Sequence, residues 1–74
     1  MSDRDRLITA AQKIREAGNL TVMAIMSLEH IQGDRFSDTI VELRLQAGDL
    51  FVAADRIDKA IAEIDFPTHT TIGD

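Results

Sequence analysis

The second half of the chain carries an unbroken pattern of apolar residues at helical spacing. From residue 36 to residue 64 these positions alternate steps of four and three, which is the heptad pattern of a helix that packs along one side. The pattern consists of Phe36, Ile40, Leu43, Ala47, Leu50, Ala54, Ile57, Ile61 and Ile64. Pro67 follows it and cannot continue a helix. We therefore predict a helix over about residues 37–65.

Apolar residues in the first half are also spaced as in a helix, but they cover a wider arc. One row consists of Leu7, Ala11, Ile14, Gly18, Thr21, Ile25 and Leu28. A second row beside it consists of Ala10, Ile14, Ala17, Thr21, Ala24, Leu28 and Ile31. Ser2 is a suitable N-cap, so the pattern predicts a helix over about residues 3–32. The width of the arc predicts contact with more than one neighbour.

Gly18 and Asn19 interrupt the first apolar run. A Gly-Asn pair can end a helix in a left-handed residue, and Asn19 could cap a new helix. The alternatives are one long helix or a short helix followed by another. We favour a continuous or kinked helix, because the apolar phase continues across the pair.

A turn over residues 33–36 joins the two predicted helices. Gly33 fits the position just after a helix end, and Asp34 or Ser37 can cap the next helix. With Ser37 as the cap, Phe36 can pack on Val41 as a hydrophobic staple. A short turn between long helices predicts an antiparallel hairpin. In that hairpin the expected facing pairs are Leu28 with Ile40, Ile25 with Leu43, and Leu20 with Ala47.

The predicted fold class is therefore all-α, an antiparallel helical hairpin in a homo-oligomeric helical bundle. Residues 1–66 form the hairpin domain, and residues 67–74 lack periodicity and are predicted to be an extended or disordered tail. A two-helix hairpin cannot enclose its own apolar stripe. The simplest closure is a dimer that forms a four-helix bundle, and larger rings of hairpins are the alternative.

Composition narrows the classes of function. The 74 residues include no Cys, so neither a disulfide nor a thiolate metal site can stabilise so small a domain. A net charge of −5 argues against a nucleic-acid or anionic-membrane surface. The charged start is not expected to act as a signal peptide, and the most apolar stretch, 20–28, is too short to span a bilayer. We expect a cytoplasmic protein.

No motif of an enzyme or a metal centre is present. The histidines, His30 and His69, have no second ligand at chelating spacing, and the glycines are isolated rather than grouped in a phosphate loop. The carboxylates are scattered over polar faces; Asp55 and Asp58, for example, are interpreted as part of a solvated face. We expect no catalytic residue, no metal and no cofactor.

Two glycines and two arginines are the candidates for binding. Gly18 and Gly48 are expected at one level of the hairpin, where they would allow either close packing of the helices or entry of a ligand to the backbone. Arg35 and Arg44 could contact an anion through their guanidinium groups. The alternative is that these are solvated arginines, each paired with a nearby acid such as Glu42 or Asp38.

One segment of the second helix resembles a known family. Arg35-Phe36 is followed by Leu45-Gln46-Ala47-Gly48 and then by Val52-Ala53-Ala54. This order is similar to that in the helical-hairpin sponges of phages, which act in anti-CBASS and anti-Thoeris defence. The spacing here is one residue longer, and Leu50 and Ala54 stand where the family motif has Met and Arg.

The resemblance implies a non-enzymatic oligomer, a hexamer, that sequesters cyclic nucleotide signals between subunits. It also implies that Arg35, Arg44 and Gln46 contact phosphate and base, and that Gly48 allows close approach. One alternative is a regulator that docks an apolar helix on a host protein. Another is an RNA binder of the Rop type, suggested by positive charge near the N-terminus at Arg4, Arg6, Lys13 and Arg15.

Overall fold

Two long helices pack against each other as an antiparallel hairpin in the computed structural model, which describes residues 2–65. Helix α1 spans Asp3–Glu29 and helix α2 spans Ser37–Asp65. The prediction of an all-helical hairpin is confirmed. Helix α1 also continues through Gly18 and Asn19, because neither residue adopts the left-handed conformation that would end it. The tail predicted over 67–74 lies outside the described residues.

Helix α1 begins as predicted but ends earlier. The Ser2 hydroxyl accepts a hydrogen bond of 3.1 Å from the backbone N–H of Asp5. At the other end the predicted limit at residue 32 is wrong. The N–H groups of His30 and Ile31 donate to carbonyls three residues back, which tightens the chain and leaves the α-helix after Glu29. Gly33, with φ of +88°, therefore lies inside a longer turn over residues 30–36.

Helix α2 begins at the predicted residue by a different arrangement. The carbonyl of Phe36 accepts the first helical hydrogen bond, 2.9 Å from the N–H of Ile40. Phe36 thus occupies the N-cap position. The predicted caps are wrong: Asp34 and Ser37 make no side-chain hydrogen bond to the described residues, and the Ser37 N–H donates to the backbone carbonyl of Asp34. The staple of Phe36 on Val41 was expected only with Ser37 as the cap, and that condition is not met; Val41 is 54% exposed.

The interface between the helices is thin. Its fully buried residues within the described chain are Ala11, Gly18, Ile25, Ala47 and Ala54. The first row of α1 and the heptad row of α2 turn towards this interface, except that Ile64 is 50% exposed. Nine large apolar side chains remain at least 37% exposed: Leu20, Val22, Met23, Met26, Ile31, Val41, Leu45, Val52 and Ile64. The hairpin therefore leaves much of its apolar surface open.

The register of the hairpin differs from the prediction. Gly18 lies against the ring of Phe51, so its neighbour stands three residues beyond the expected Gly48. The expected pair of Leu20 with Ala47 is also wrong, since Leu20 is 65% exposed while Ala47 is buried. The aromatic ring explains the difference, because only a glycine on α1 leaves room for it between closely packed helices.

Within residues 2–65, neither helix combines the length and the hydropathy that a membrane crossing requires.

Candidate functional site

A groove lies at the turn of the hairpin. It encloses about 330 Å³ between the end of α1, the turn and the start of α2. Its lining includes Leu28, Glu29, Ile31, Gly33, Phe36 and Ile40. The early end of α1 creates it, because the chain leaves the helix at Glu29 and passes through the left-handed Gly33 before α2 begins. The result is a groove of mixed character, in which apolar side chains stand beside the Glu29 carboxylate and Ser37.

Arg35 does not line this groove itself, but it precedes Phe36, which does. Its guanidinium carbon is 6.0 Å from the centre of the Phe36 ring, a distance that suits a cation–π contact. The residue is exposed, and no ion pair links it to a carboxylate of residues 2–65. A planar cation and an aromatic ring are thus presented together at the turn.

Arg44 is already engaged within the hairpin. Its guanidinium forms an ion pair and a hydrogen bond with the carboxylate of Glu29, which joins the start of α2 to the end of α1. Both side chains keep substantial exposure, 59% for Arg44 and 41% for Glu29. Proximity in the sequence suggested Glu42 or Asp38 as the partner, but the acid that pairs with Arg44 comes from the other helix.

Gln46 and Gly48 lie on different sides of α2. Two residues of separation on an α-helix place side chains about 200° apart, so Gln46 and Gly48 lie on opposite flanks of α2. Both are exposed, and a Cβ on Gly48 would meet nothing within 4 Å. The four residues predicted to bind a ligand therefore do not converge in one hairpin. Arg44 and Gly48 share one flank, Gln46 lies on the other, and Arg35 lies in the turn.

Ion pairs between the helices line one side of the hairpin. Arg4 donates two hydrogen bonds, of 2.7 and 3.1 Å, to the Asp65 carboxylate. Arg15 reaches both Asp55, at 3.3 Å, and Asp58. Hydrogen bonding from Arg4 lowers the pKa of Asp65, and the bond to Asp58 raises the pKa of Arg15. These contacts were not foreseen, although acids and bases at helical spacing on both helices could have suggested them.

The cationic residues near the N-terminus do not form a free basic patch. Arg4 and Arg15 are paired with acids of α2, as above. Arg6 pairs with Asp3 at 3.4 Å, and Lys13 with Glu16 at 3.7 Å. A surface that binds RNA needs positive potential that exceeds the local negative charge. The arrangement therefore disfavours the Rop-type interpretation.

Residues 2–65 hold no group of three His, Asp or Glu side chains placed to share a metal ion. His30 caps the end of α1 through its backbone.

No protein-family model, curated protein or solved structure matches the chain.

Proposed function

We propose that this chain is a non-enzymatic binding protein that works as a homo-oligomer and sequesters an anionic nucleotide, of the cyclic signal class bound by the phage sponges it resembles. The observation that carries the proposal is the contact of Arg35 with Phe36, a residue that lines the groove at the turn. Its guanidinium lies against the Phe36 ring and is exposed to an incoming ligand.

The chemistry of Arg35 and Phe36 at the turn suits a nucleotide. A guanidinium binds a phosphate through two parallel hydrogen bonds, and an aromatic ring offers a face on which a base can stack. Gly33 brings backbone without a side chain to the same groove. A volume of about 330 Å³ lies at the lower end of the range for small-molecule sites. One hairpin would therefore hold part of a nucleotide, and a second subunit would supply the remaining contacts.

Exposed apolar surface supports the oligomeric part of the proposal. Nine large apolar side chains are at least 37% exposed, whereas only four apolar residues of the described chain are buried. A small chain with so few buried side chains gains stability when copies cover each other. Ion pairs between α1 and α2 link the two helices. Such links suit a hairpin that serves as a scaffold for binding.

Thermal unfolding with cyclic di- and trinucleotides tests the nucleotide proposal. A ligand at a hundred times its dissociation constant adds about 2.7 kcal/mol, which raises the Tm of a chain this small by about 10–20 °C. Arg35→Ala should abolish this rise. Arg56→Ala is the matched control, because Arg56 is an exposed arginine of α2 remote from the groove. The proposal fails if no nucleotide raises the Tm, or if both variants lose the effect equally.

A second candidate is a regulator that docks on a host protein. Leu20, Met23 and Met26 are 65%, 61% and 54% exposed on α1, and flexible methionines are common on surfaces that adapt to partners. Oxidation of the purified protein by peroxide separates the two candidates. Slow oxidation of Met23 and Met26 indicates that other subunits cover them, as the sponge requires. Oxidation as fast as in the urea-unfolded chain favours the docking regulator.

A further inference from the structure

One flank of the hairpin carries the ion pairs between the helices, and helical spacing shows which other residues share it. On α1 one row advances in steps of four and three residues, which keeps it on one side of the helix: Arg15, Asn19, Val22, Met26 and Glu29. Both ends of this row reach α2, since Arg15 pairs with Asp58 and Glu29 pairs with Arg44. The residues between these ends therefore lie on the same flank, which we call the ion-pair flank.

Most of the exposed apolar side chains lie on the ion-pair flank. The matching row of α2 consists of Arg44, Gly48, Phe51, Asp55 and Asp58. Residues three or four positions from members of the two rows are their neighbours on the helix surface, and these include Met23, Val41, Leu45 and Val52. Together with Val22 and Met26 they make up six of the nine large apolar side chains that are exposed in the described chain. The open apolar surface is therefore concentrated on one side of the hairpin.

The middle of the ion-pair flank lacks charge. Residues 17–28 of α1 include no charged residue. Residues 45–54 of α2 include one, Asp49, which lies about 100° around the helix from Gly48 on the side away from α1. The pairs of Arg15 close one end of this stretch, and the pair of Arg44 with Glu29 closes the other. An apolar centre with a polar rim is the usual composition of a protein interface.

Gly48 lies in the middle of this flank. A glycine inside a helix costs about 1 kcal/mol relative to alanine. A Cβ at position 48 would meet nothing within 4 Å, so the packing of α2 on α1 does not account for the glycine. The absent side chain leaves room for a helix of another molecule to approach α2 closely.

We propose that a second copy of this chain packs on the ion-pair flank, with each helix antiparallel to the same helix of the other copy. This inference rests on the homo-oligomeric part of the proposed function and assigns its interface. A twofold axis that runs across the helices produces this arrangement and brings the same flank of both copies together. The exposed apolar side chains of one hairpin then cover those of the other.

The charges at the two ends of the flank suit a second copy. The row on α1 begins at Arg15 and ends at Glu29, so two antiparallel copies bring the arginine of one towards the acid of the other. Arg44 and Asp55 of α2 stand in the same relation. The Asp55 side chain keeps 73% of its exposure beside Arg15, so it can accept a second arginine. These groups lie at the rim and stay in contact with water, which avoids the desolvation penalty of a buried ion pair.

The size of the contact predicts a weak dimer. From Val41 to Asp58 helix α2 rises about 26 Å, and two packed helices are about 20 Å wide. This part of the flank therefore presents about 500 Å², and a dimer would cover about 1,000 Å² in total, which is at the low end for specific interfaces. Assembly should therefore depend on protein concentration.

Thiol reactivity provides the test, because the natural chain has no cysteine. Met26→Cys places one thiol on the ion-pair flank, and Ile64→Cys places one on the opposite flank, in the row of Gln46. The natural side chains are 54% and 50% exposed, so the two thiols should be about equally accessible in a single hairpin.

The rate of reaction with a bulky maleimide is measured for both variants, and each rate is divided by that of the same variant unfolded in urea. At about 500 μM protein we expect the corrected rate of Met26→Cys to be at least about fivefold lower than that of Ile64→Cys. Dilution should bring the two rates together. Equal corrected rates at the high concentration would overturn the proposal.

Light scattering of two further variants gives an independent measurement. At the high concentration the natural chain should scatter as at least twice its 8.2 kDa, and Ile64→Lys should do the same. Met26→Lys places a charge in the centre of the interface and should scatter as a smaller species. If that variant loses its helical circular dichroism, the maleimide rates still decide. A natural chain that stays monomeric, or a Met26→Lys variant that assembles like the natural chain, would contradict the assignment.

The interface and the nucleotide proposal can fail separately. A protected thiol at position 26 without any rise of the Tm by nucleotides would retain the dimer and reject the ligand. A nucleotide response lost in Arg35→Ala, with an unprotected thiol at position 26, would retain the ligand and reject this interface.

Discussion

The ring of Phe51 lies directly over Gly18. A Cβ built on Gly18 would stand 2.8 Å from Cζ of the ring, closer than such atoms approach in folded proteins. It would also stand 3.0 and 3.1 Å from Cε1 and Cε2, which is tighter than most Cβ contacts. Gly18 is buried, and Phe51 is half-buried beside it. The absence of a side chain at position 18 thus creates the space that the largest side chain of the helix interface fills.

Gly18→Ala should lack the gain in stability that alanine normally brings to a helix. Alanine gains about 1 kcal/mol over glycine in a helix, but moving the ring out of its site should cost about 1–3 kcal/mol, so the net change is unfavourable or near zero. Gly48→Ala is the control, because its Cβ meets nothing within 4 Å and only the helical gain of about 1 kcal/mol remains. Urea unfolding measures both, and a Gly18→Ala protein as stable as Gly48→Ala would refute the packing account.

Phe51→Leu should rescue Gly18→Ala. Leucine is smaller than the ring and flexible, so it can retreat from the added methyl group. The double variant should be more stable than the sum of the two single changes predicts, by about 0.5–3 kcal/mol. Additive changes in a double-mutant cycle would show that the two residues do not compete for space.

Arg4→Gln should raise the pKa of Asp65. The Asp65 pKa is lowered from its usual value of 3.8 by the hydrogen bond from Arg4 and by the charge of Arg4. The contribution of the pair to stability is present above that usual value and is lost as the pH falls through the lowered pKa. An NMR titration of the Asp65 carboxyl checks this. Arg6→Gln serves as control, since Arg6 pairs with Asp3.

Glu29→Gln should increase nucleotide affinity if Arg44 takes part in binding. Glu29 holds the Arg44 guanidinium, and neutralising the acid frees the guanidinium and removes a negative charge from the edge of the groove. The dissociation constant from calorimetry should fall in Glu29→Gln, and Arg44→Ala should reverse the gain. An affinity that is unchanged by Glu29→Gln would exclude Arg44 from the site. Glu63→Gln, remote from the turn, controls for the change in net charge.

Ser2→Ala should cost about 1 kcal/mol, because the Ser2 hydroxyl accepts the Asp5 N–H at the start of α1. Ser37→Ala is a matched control at the start of α2, where the side chain makes no such bond to the described residues. Equal effects in chemical unfolding would count against the difference between the two helix starts.

The packing faces of both helices could be predicted from the sequence because they follow from periodicity. The rows from Leu7 to Leu28 and from Ile40 to Ile61 face each other as the spacing of four and three requires. The continuity of α1 through Gly18 was predictable for the same reason. The Gly18-Asn19 pair taken alone predicts a helix end. The apolar spacing that continues on both sides of the pair predicts a continuous helix, and it is the better guide here.

Register and helix ends could not be predicted in the same way. Periodicity fixes which side of a helix faces its neighbour, but sliding one helix along the other keeps those sides facing. The contact of Phe51 with Gly18 sets the actual offset. Helix α1 ends early because the N–H groups of His30 and Ile31 donate to carbonyls three residues back. The residue types at these positions do not predict that change. The candidate binding residues follow from residue type, expected level in the hairpin and a linear motif, and none of these reveals that Gln46 and Gly48 diverge or that Glu29 engages Arg44.

The ion pairs between the helices join residues at very different separations along the chain. The partners are 15 residues apart for Glu29 and Arg44, 43 for Arg15 and Asp58, and 61 for Arg4 and Asp65. Closing the longest of these loops costs about 1.2 kcal/mol more entropy than closing the shortest. Loop entropy alone therefore predicts that contacts between the helices form first near the turn and later towards the helix ends. The groove next to Phe36 lies at the turn, where these contacts would form first. It would therefore be assembled before the far ends of the helices meet.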